Sequence, residues 1–359
     1  MTKITGQLGK EFIKTNANRL NQAQVKHYQR FALEATKMGR PAELLFERLA
    51  DLSGYGKKVR AGLISLGYQL AGGQNQSLVD QLGLFIELFH TGLLIHDDLM
   101  DQDETRRGQD SLHVQFEKIG QKAKLGDPSL YGLSQAILAG DLAFYLSWQI
   151  LLESELEPDK LIGLSQAYSS YTTRIVYGQC LDVQQKKIGQ LAKADILEVI
   201  RLKTAEYSGM MPLEIGAIAG GLAASELDKL KKYGLAFGWA FQVQDDLLGL
   251  FGQQKKLGKP IGSDVREGKN TLLMLELFER GSQAQRQRQL ELLGKDDISL
   301  EEVEEMRQLV KDSGAYDQVK QLGLNYAQQA VNWADRLQGS KQIKETLQSL
   351  AVYMMERMV

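Results

Sequence analysis

Leu93-Leu94-Ile95-His96-Asp97-Asp98-Leu99-Met100-Asp101 is the stretch that decides how this chain is read. An apolar run leads into an acidic triplet, so the triplet ends a buried helix instead of decorating an exposed one. Asp97 and Asp101 are four apart and share one helix face, about one 5.4 Å turn from each other. Like charges at that spacing repel unless a cation sits between them. Hard oxygen ligands suit Mg²⁺, which one or two carboxylates hold together with substrate phosphates. Arg106-Arg107-Gly108 follows, and paired guanidiniums suit a phosphate. A second acidic pair, Gln244-Asp245-Asp246, recurs in another apolar helical pattern. The residues therefore read as a metal-bridged diphosphate site between two helices. The plainer readings are a solvated acidic face, and surface pairing of Arg106 and Arg107 with Asp103 and Glu104.

The rest of the chain supports an all-α fold. Helical periodicity is expected over 20–37, 43–52, 57–72, 77–101, 132–153, 159–188, 192–222, 226–251, 270–292, 301–312, 314–337 and 340–358. Few alternating β-branched runs occur, so strand content should be near zero. Pro41 and Pro158 sit at helix starts, and Pro128 and Pro260 in glycine-containing loops. Segments 82–95 and 134–152 are apolar on most faces, as in the middle of a large bundle. No linker or repeat divides residues 1–359, which read as a single all-helical domain. Net charge is −2, which suggests neither a nucleic-acid nor a membrane-surface partner. The one cysteine, Cys180, excludes an internal disulfide and fits a reducing, cytoplasmic compartment. No apolar run is expected to reach the roughly 18 residues of a membrane span, and Met1 to Asn21 carries no signal-peptide core.

Further cations cluster in two places. Lys57, Lys58 and Arg60 follow Gly54-Tyr55-Gly56. Cations at a helix start oppose its dipole, which favours a functional cause over a solvated first turn. The segment Gly258-Lys259-Pro260-Ile261-Gly262-Ser263-Asp264, then Gly268-Lys269, follows the second acidic pair and reads as a lysine-bearing lid or an ordinary turn.

With these motifs in place, the chain resembles the trans-isoprenyl diphosphate synthases of the polyprenyl synthetase family, most of all the geranylgeranyl and farnesyl types. The likeness runs from about Gly54 to Thr271. Gly56-Lys57-Lys58-Val59-Arg60 resembles the family's GGKRxR segment. His90 falls at the homoallylic-substrate position, and Asp97-Asp98-Leu99-Met100-Asp101 is similar to the first aspartate-rich motif, with Arg106-Arg107 behind it. Gly140-Asp141, Gln179 with Asp182, Lys203-Thr204, Phe241-Gln242 and Asp245-Asp246 follow in family order, and Lys259, Asp264 and Lys269 match the lid. Three positions depart from the pattern. Gly249 stands where the second motif usually has its third aspartate, Lys58 where arginine is usual, and Ala61 where proline is usual.

The resemblance implies an antiparallel helix bundle around a central cavity, the isoprenoid synthase fold, as a homodimer. It implies Mg²⁺, three ions, with Mn²⁺ as a substitute, held by Asp97, Asp98, Asp101, Asp245, Asp246 and Asp264. Arg106, Lys203, Lys259 and Lys269 would hold an allylic diphosphate. Lys57, Lys58, Arg60, His90 and Arg107 would hold isopentenyl diphosphate, and Thr204 and Gln242 would stabilise the allylic cation. Gly249→Asp is expected to be tolerated and to strengthen Mg²⁺ dependence at the second motif. For product length, Gly92, Phe89 and Phe85 should line successive layers below Asp97. Gly92 cannot stop a growing chain, Phe89 can form a floor, and a twenty-carbon product is expected, with fifteen carbons as runner-up. Alternatively Gly92 permits close helix packing and the floor lies near Phe144 and Tyr145. Three other functions stay open: a terpene cyclase, an HD-type phosphohydrolase built on His96-Asp97, and a non-catalytic synthase subunit.

Overall fold

The structure is a computed structural model that describes residues 4–184, 193–252 and 262–356. Its helices are α1 (Gln7–Lys37), α2 (Arg40–Ser53), α3 (Val59–Leu70), α4 (Gln76–Met100), α5 (Leu112–Lys122), α6 (Pro128–Leu152) and α7 (Pro158–Val183). Then follow α8 (Lys193–Ile200), a π-helical stretch (Arg201–Met210), α9 (Met211–Gly220), α10 (Ala224–Phe251) and α11 (Ser263–Arg266). The chain closes with α12 (Leu272–Arg280), α13 (Gln283–Leu292), α14 (Leu300–Asp312), α15 (Ala315–Arg336) and α16 (Lys341–Glu356). Among the described residues strand is confined to a two-rung hairpin, Thr105–Arg106 with Gln109–Asp110, so the all-α reading holds.

The two site-bearing helices have clear local causes. In α4 the Asn75 side chain accepts the Leu78 N–H at 3.1 Å, satisfying one free donor of the first turn. From there α4 is buried along most of its length. It packs on α6, whose start combines Pro128 with an Asp127 cap on the Leu130 N–H at 2.9 Å. Glycines set their closeness: a Cβ on Gly92 would lie 2.9 Å from Gly140 O, and one on Gly140 would lie 2.2 Å from His96 Nε2. α10 is buried between the π-helical stretch, α15 and α16. Chain ends meet where α1 packs on α16, with the Gly9 N–H on Ser349 Oγ at 2.9 Å.

Five readings change. α1 begins at Gln7, well before residue 20, and α5 is a helix the periodicity did not show. The expected helix over 270–292 is two, because Ser282 starts α13 with a reciprocal capping box to Gln285. Pro128 lies in the first turn of α6, not in a loop. Finally, α4 and α6 are each long and apolar enough to cross a membrane by length and composition, contrary to the expectation from the sequence. For α4 the reason is burial: its apolar length is the middle of the bundle.

Candidate active site

α4 and α10 bring the two acidic motifs to one end of the bundle, at a cavity of about 760 Å³. Lys57, Lys58, Arg60, His90, Arg106, Arg107, Lys203, Thr204, Gln242, Asp245, Asp246, Asp264 and Lys269 all line it. Asp97, Asp98 and Asp101 join through the cations that do. Lys203 Nζ lies 3.2 Å from Asp97 Oδ1 and 2.6 Å from Asp182 Oδ2, and Gln179 Nε2 donates to Asp97 Oδ1 at 3.3 Å. Lys269 Nζ lies 2.7 Å from Asp101 Oδ2 and 2.5 Å from Glu267 Oε2. Two ammonium groups thus neutralise the carboxylates of the first motif. Among the described residues no three histidine, cysteine or acidic side chains form a ready cation cage. Lys259 lies outside the described residues.

Electrostatics follow from this crowding. Burial and then the charge of Asp97 push the Asp101 carboxyl above its ordinary range. Lys203 and Lys269 are raised despite burial, Lys203 by Asp97 and Asp182, Lys269 by Asp101 and Asp264. Asp246 is pushed up to about 7, chiefly by burial. It accepts from Gln242 Nε2 at 2.6 Å and from the Leu272 N–H at 3.0 Å. Asp246 therefore orients Gln242 and caps the start of α12.

The arginines are placed by the hairpin. Arg107 and Gly108 both have positive φ, 56° and 78°, as a tight two-residue hairpin turn requires. Arg106 turns inward, donating to Asp98 Oδ1 through Nε at 2.6 Å and to Asp103 Oδ2 at 3.1 Å. Surface pairing is thus the wrong picture, since its side chain is largely buried. Arg107 donates to Leu52 O at 2.9 Å and Tyr55 O at 2.7 Å. Lys58, buried in the left-handed conformation, donates to Ser53 O. Both cations cap the carbonyl end of α2, a favourable place for positive charge. Arg60 points at the cavity, its Nη2 on Ser208 Oγ at 2.7 Å and its guanidinium 4.4 Å over the Tyr207 ring. His90 is held well below its ordinary value by burial and then by Arg60, Arg107, Lys58 and Arg106. Among the described residues its Nδ1 has no hydrogen-bond partner.

Sequence reasoning missed several residues. Glu87 lines the cavity one turn before His90 and accepts the Ala61 N–H at 3.2 Å. Tyr207 and Ser208 sit one turn past Lys203-Thr204, where i+4 spacing could have flagged them. They share the π-helical stretch Arg201–Met210 with Lys203, a wide turn often found at functional sites.

The product-length geometry also changes. A Cβ on Gly92 would meet the Phe144 ring at 2.6 Å, so Phe144 of α6 fills the layer that Gly92 leaves open. Phe89 packs on Phe144 (centroids 5.4 Å), Tyr168 (5.0 Å) and Tyr207 (6.1 Å), and Phe85 on Tyr168 (5.0 Å) and Trp148 (6.3 Å). Tyr145, the other alternative, is 73% exposed and lies away from this cluster.

The polyprenyl synthetase sequence profile matches residues 43–311. The chain is 31% identical to a geranylgeranyl diphosphate synthase of Methanosarcina mazei, over 90% of this chain and 93% of that one. It is also 31% identical to a geranylfarnesyl diphosphate synthase of Aeropyrum pernix, over 84% of this chain and 90% of that one. In structure it matches, at a TM-score of 0.91 and 28% identity, the geranylgeranyl pyrophosphate synthase of Corynebacterium glutamicum, solved with isoprenyl diphosphate and magnesium. That match covers 96% of this chain and 99% of that one.

Proposed function

Because the chain belongs to the polyprenyl synthetase family, we propose that it condenses isopentenyl diphosphate with an allylic diphosphate head to tail, releasing diphosphate, with geranylgeranyl diphosphate as product. One observation supports this reading: a single cavity is lined by the acidic motif of α10, by a separate cationic cluster, and by Lys203 and Lys269, which hold Asp97 and Asp101 of the first motif. Two diphosphates need two such pockets. A cyclase needs only the first, and the phosphohydrolase reading lacks a histidine cage among the described residues.

Mg²⁺ fits the donor set, which is all carboxylate. Asp97, Asp101, Asp245 and Asp264 would hold it, with Asp98 and Asp246 orienting Arg106 and Gln242. When bound, the metal would withdraw charge from the leaving diphosphate. Lys203, Lys269 and Arg106 would bind that diphosphate's oxygens in a poorly hydrated site, where fixed charges act most strongly. Arg60, Lys57 and the Nδ1 side of His90 would hold isopentenyl diphosphate, with Arg107 and Lys58 shaping its pocket from the α2 end. Thr204 and Gln242 would turn oxygen dipoles toward the allylic carbon as the C–O bond breaks. Isopentenyl diphosphate's double bond then attacks that carbon, and a proton leaves. The aromatic cluster beneath excludes water from the cation, and Phe89 and Phe144 set the floor.

We also infer a cytoplasmic homodimer. Leu133, Ile137 and Tyr145 on α6, with Val176 and Tyr177 on α7, are exposed apolar side chains that suit a second copy. Light scattering on the purified chain tests this. The activity is tested by incubation with Mg²⁺, labelled isopentenyl diphosphate and each of dimethylallyl, geranyl and farnesyl diphosphates. A twenty-carbon diphosphate is the expected product, and no condensation with any primer overturns the reading.

A further inference from the structure

Lys203 and Ser208 are five residues apart, yet both serve the cavity. Lys203 Nζ lies 3.2 Å from Asp97 Oδ1 and 2.6 Å from Asp182 Oδ2, on the side assigned to the allylic diphosphate. Ser208 Oγ accepts from Arg60 Nη2 at 2.7 Å, on the side assigned to isopentenyl diphosphate. On an α-helix, side chains five apart point about 140° away from each other. The backbone here is the π-helical stretch Arg201–Met210, whose bonding joins residues five apart and brings such pairs to neighbouring positions. A second pair at the same spacing lies on this stretch: Arg201 Nη1 donates to Glu206 Oε1. Glu206 is buried, and its other oxygen accepts from Arg174 Nε of α7 at 2.7 Å. Arg201 is held in turn by Glu198, at 2.8 and 2.5 Å. Arg174 donates to Ser170 Oγ at 2.8 Å and lies 4.5 Å over the Tyr171 ring. On this flank α7 comes close, since a Cβ on Gly178 would lie 2.9 Å from Lys203 N.

We propose that Glu206, clamped between Arg174 and Arg201, is a positioning residue: it holds the π-helical turn that sets Lys203 and Ser208, and with them the two diphosphate pockets, in fixed register. This rests on the functional reading above and adds to it the residues that fix the spacing of the pockets. None of the three lines the cavity, so they act through Lys203, Ser208 and Arg60. The plainer reading is an ion pair that adds only stability. A buried ion pair is a poor source of stability, because desolvation offsets its Coulombic gain, and its best-attested use is to select one register over another. The competing register here is an ordinary α-helical one. It would turn Ser208 away from the face that carries Lys203, so that either Arg60 loses its acceptor or Lys203 leaves Asp97.

The test is steady-state kinetics on the full chain with each substrate varied, alongside amide hydrogen exchange across 201–210 read by mass spectrometry. Arg174→Ala leaves Glu206 paired with Arg201, so no bare charge is buried. It should lower kcat about 10-fold or more, because small misplacements of reacting groups cost rate steeply. KM for each substrate should stay within about twofold, since either pocket alone still takes its diphosphate. Exchange across 201–210 should quicken about 10-fold as the turn opens locally. Arg174→Lys, which keeps a cation within reach of Glu206, should hold kcat within about threefold of wild type. Glu206→Gln should repeat the loss of kcat; if it does not fold, the two Arg174 variants decide. Wild-type kcat in Arg174→Ala overturns the proposal, as do unchanged exchange, a raised KM without a fall in kcat, or Arg174→Lys as slow as Arg174→Ala. Wild-type protein that condenses no prenyl diphosphate removes the functional reading instead, and exchange in Arg174→Ala then decides the clamp alone.

Discussion

Removing the Lys269 ammonium should destabilise the protein in a way that Mg²⁺ reverses. Lys269 sits between Asp101 and Glu267, at 2.7 and 2.5 Å, with side-chain exposures of 21%, 12% and 13% respectively. Breaking a buried pair by deleting one partner costs about 3–5 kcal/mol, because the other charge stays buried and uncompensated. The residual exposure argues for the low end, about 3 kcal/mol. In a chain this long each kcal/mol moves the melting temperature by roughly 1.3 °C, so Lys269→Ala should melt about 4 °C below wild type. The loss should depend on pH. Asp101 already has a folded pKa above its unfolded one, so its ionised form weakens the fold as pH rises, and deleting its cation raises that pKa further. The deficit should therefore be larger at pH 8 than at pH 5. Mg²⁺ with pyrophosphate should restore most of the lost melting temperature, since a divalent cation replaces the ammonium and binds only the folded form. Scanning calorimetry on wild type and variant, with and without Mg²⁺, checks all three statements. A shift below 1 °C, or a deficit that Mg²⁺ leaves untouched, would refute the reasoning.

Other outcomes follow from the same geometry. Arg60→Ala should raise KM for isopentenyl diphosphate far more than KM for the allylic primer, and Lys203→Ala should do the reverse; steady-state kinetics with each substrate varied decides. Phe144→Ala should lengthen the product by one five-carbon unit, whereas Gly92→Phe should mainly lower the melting temperature, because its ring meets Phe144 and Gly140 O; product chromatography and melting curves separate the two. His90 is held neutral well below 6.5, so the unfolded chain takes up a proton first as pH falls. Stability should drop below pH 6.5 by up to about 1.4 kcal/mol per pH unit, and His90→Gln should flatten that slope in denaturant titrations.

Much of the site could be read from the chain because its main signals are local. Asp97 and Asp101 announce a shared face through their spacing alone, and the apolar run before them announces burial. Residues whose role depends on another element could not be read that way. Gly92 looked like open space, but the ring that fills it comes from α6. Lys58 and Arg107 looked like free phosphate ligands, but the carbonyls they cap belong to the end of α2. The π-helical stretch Arg201–Met210 was not legible, because periodicity in the sequence does not separate a π turn from an α turn. At the local level, the break between α12 and α13 could have been read from Gly281-Ser282 and the glutamine three residues on.

In the proposed function both acidic motifs would hold divalent cations for one allylic diphosphate. Calorimetric titration of farnesyl diphosphate into wild type, Asp97→Ala and Asp245→Ala, with Mg²⁺ and with chelator, tests it directly. Tight binding should appear only in wild type with Mg²⁺ and should weaken strongly in either variant. Equal binding with and without Mg²⁺, or an Asp245→Ala titration that matches wild type, would contradict it.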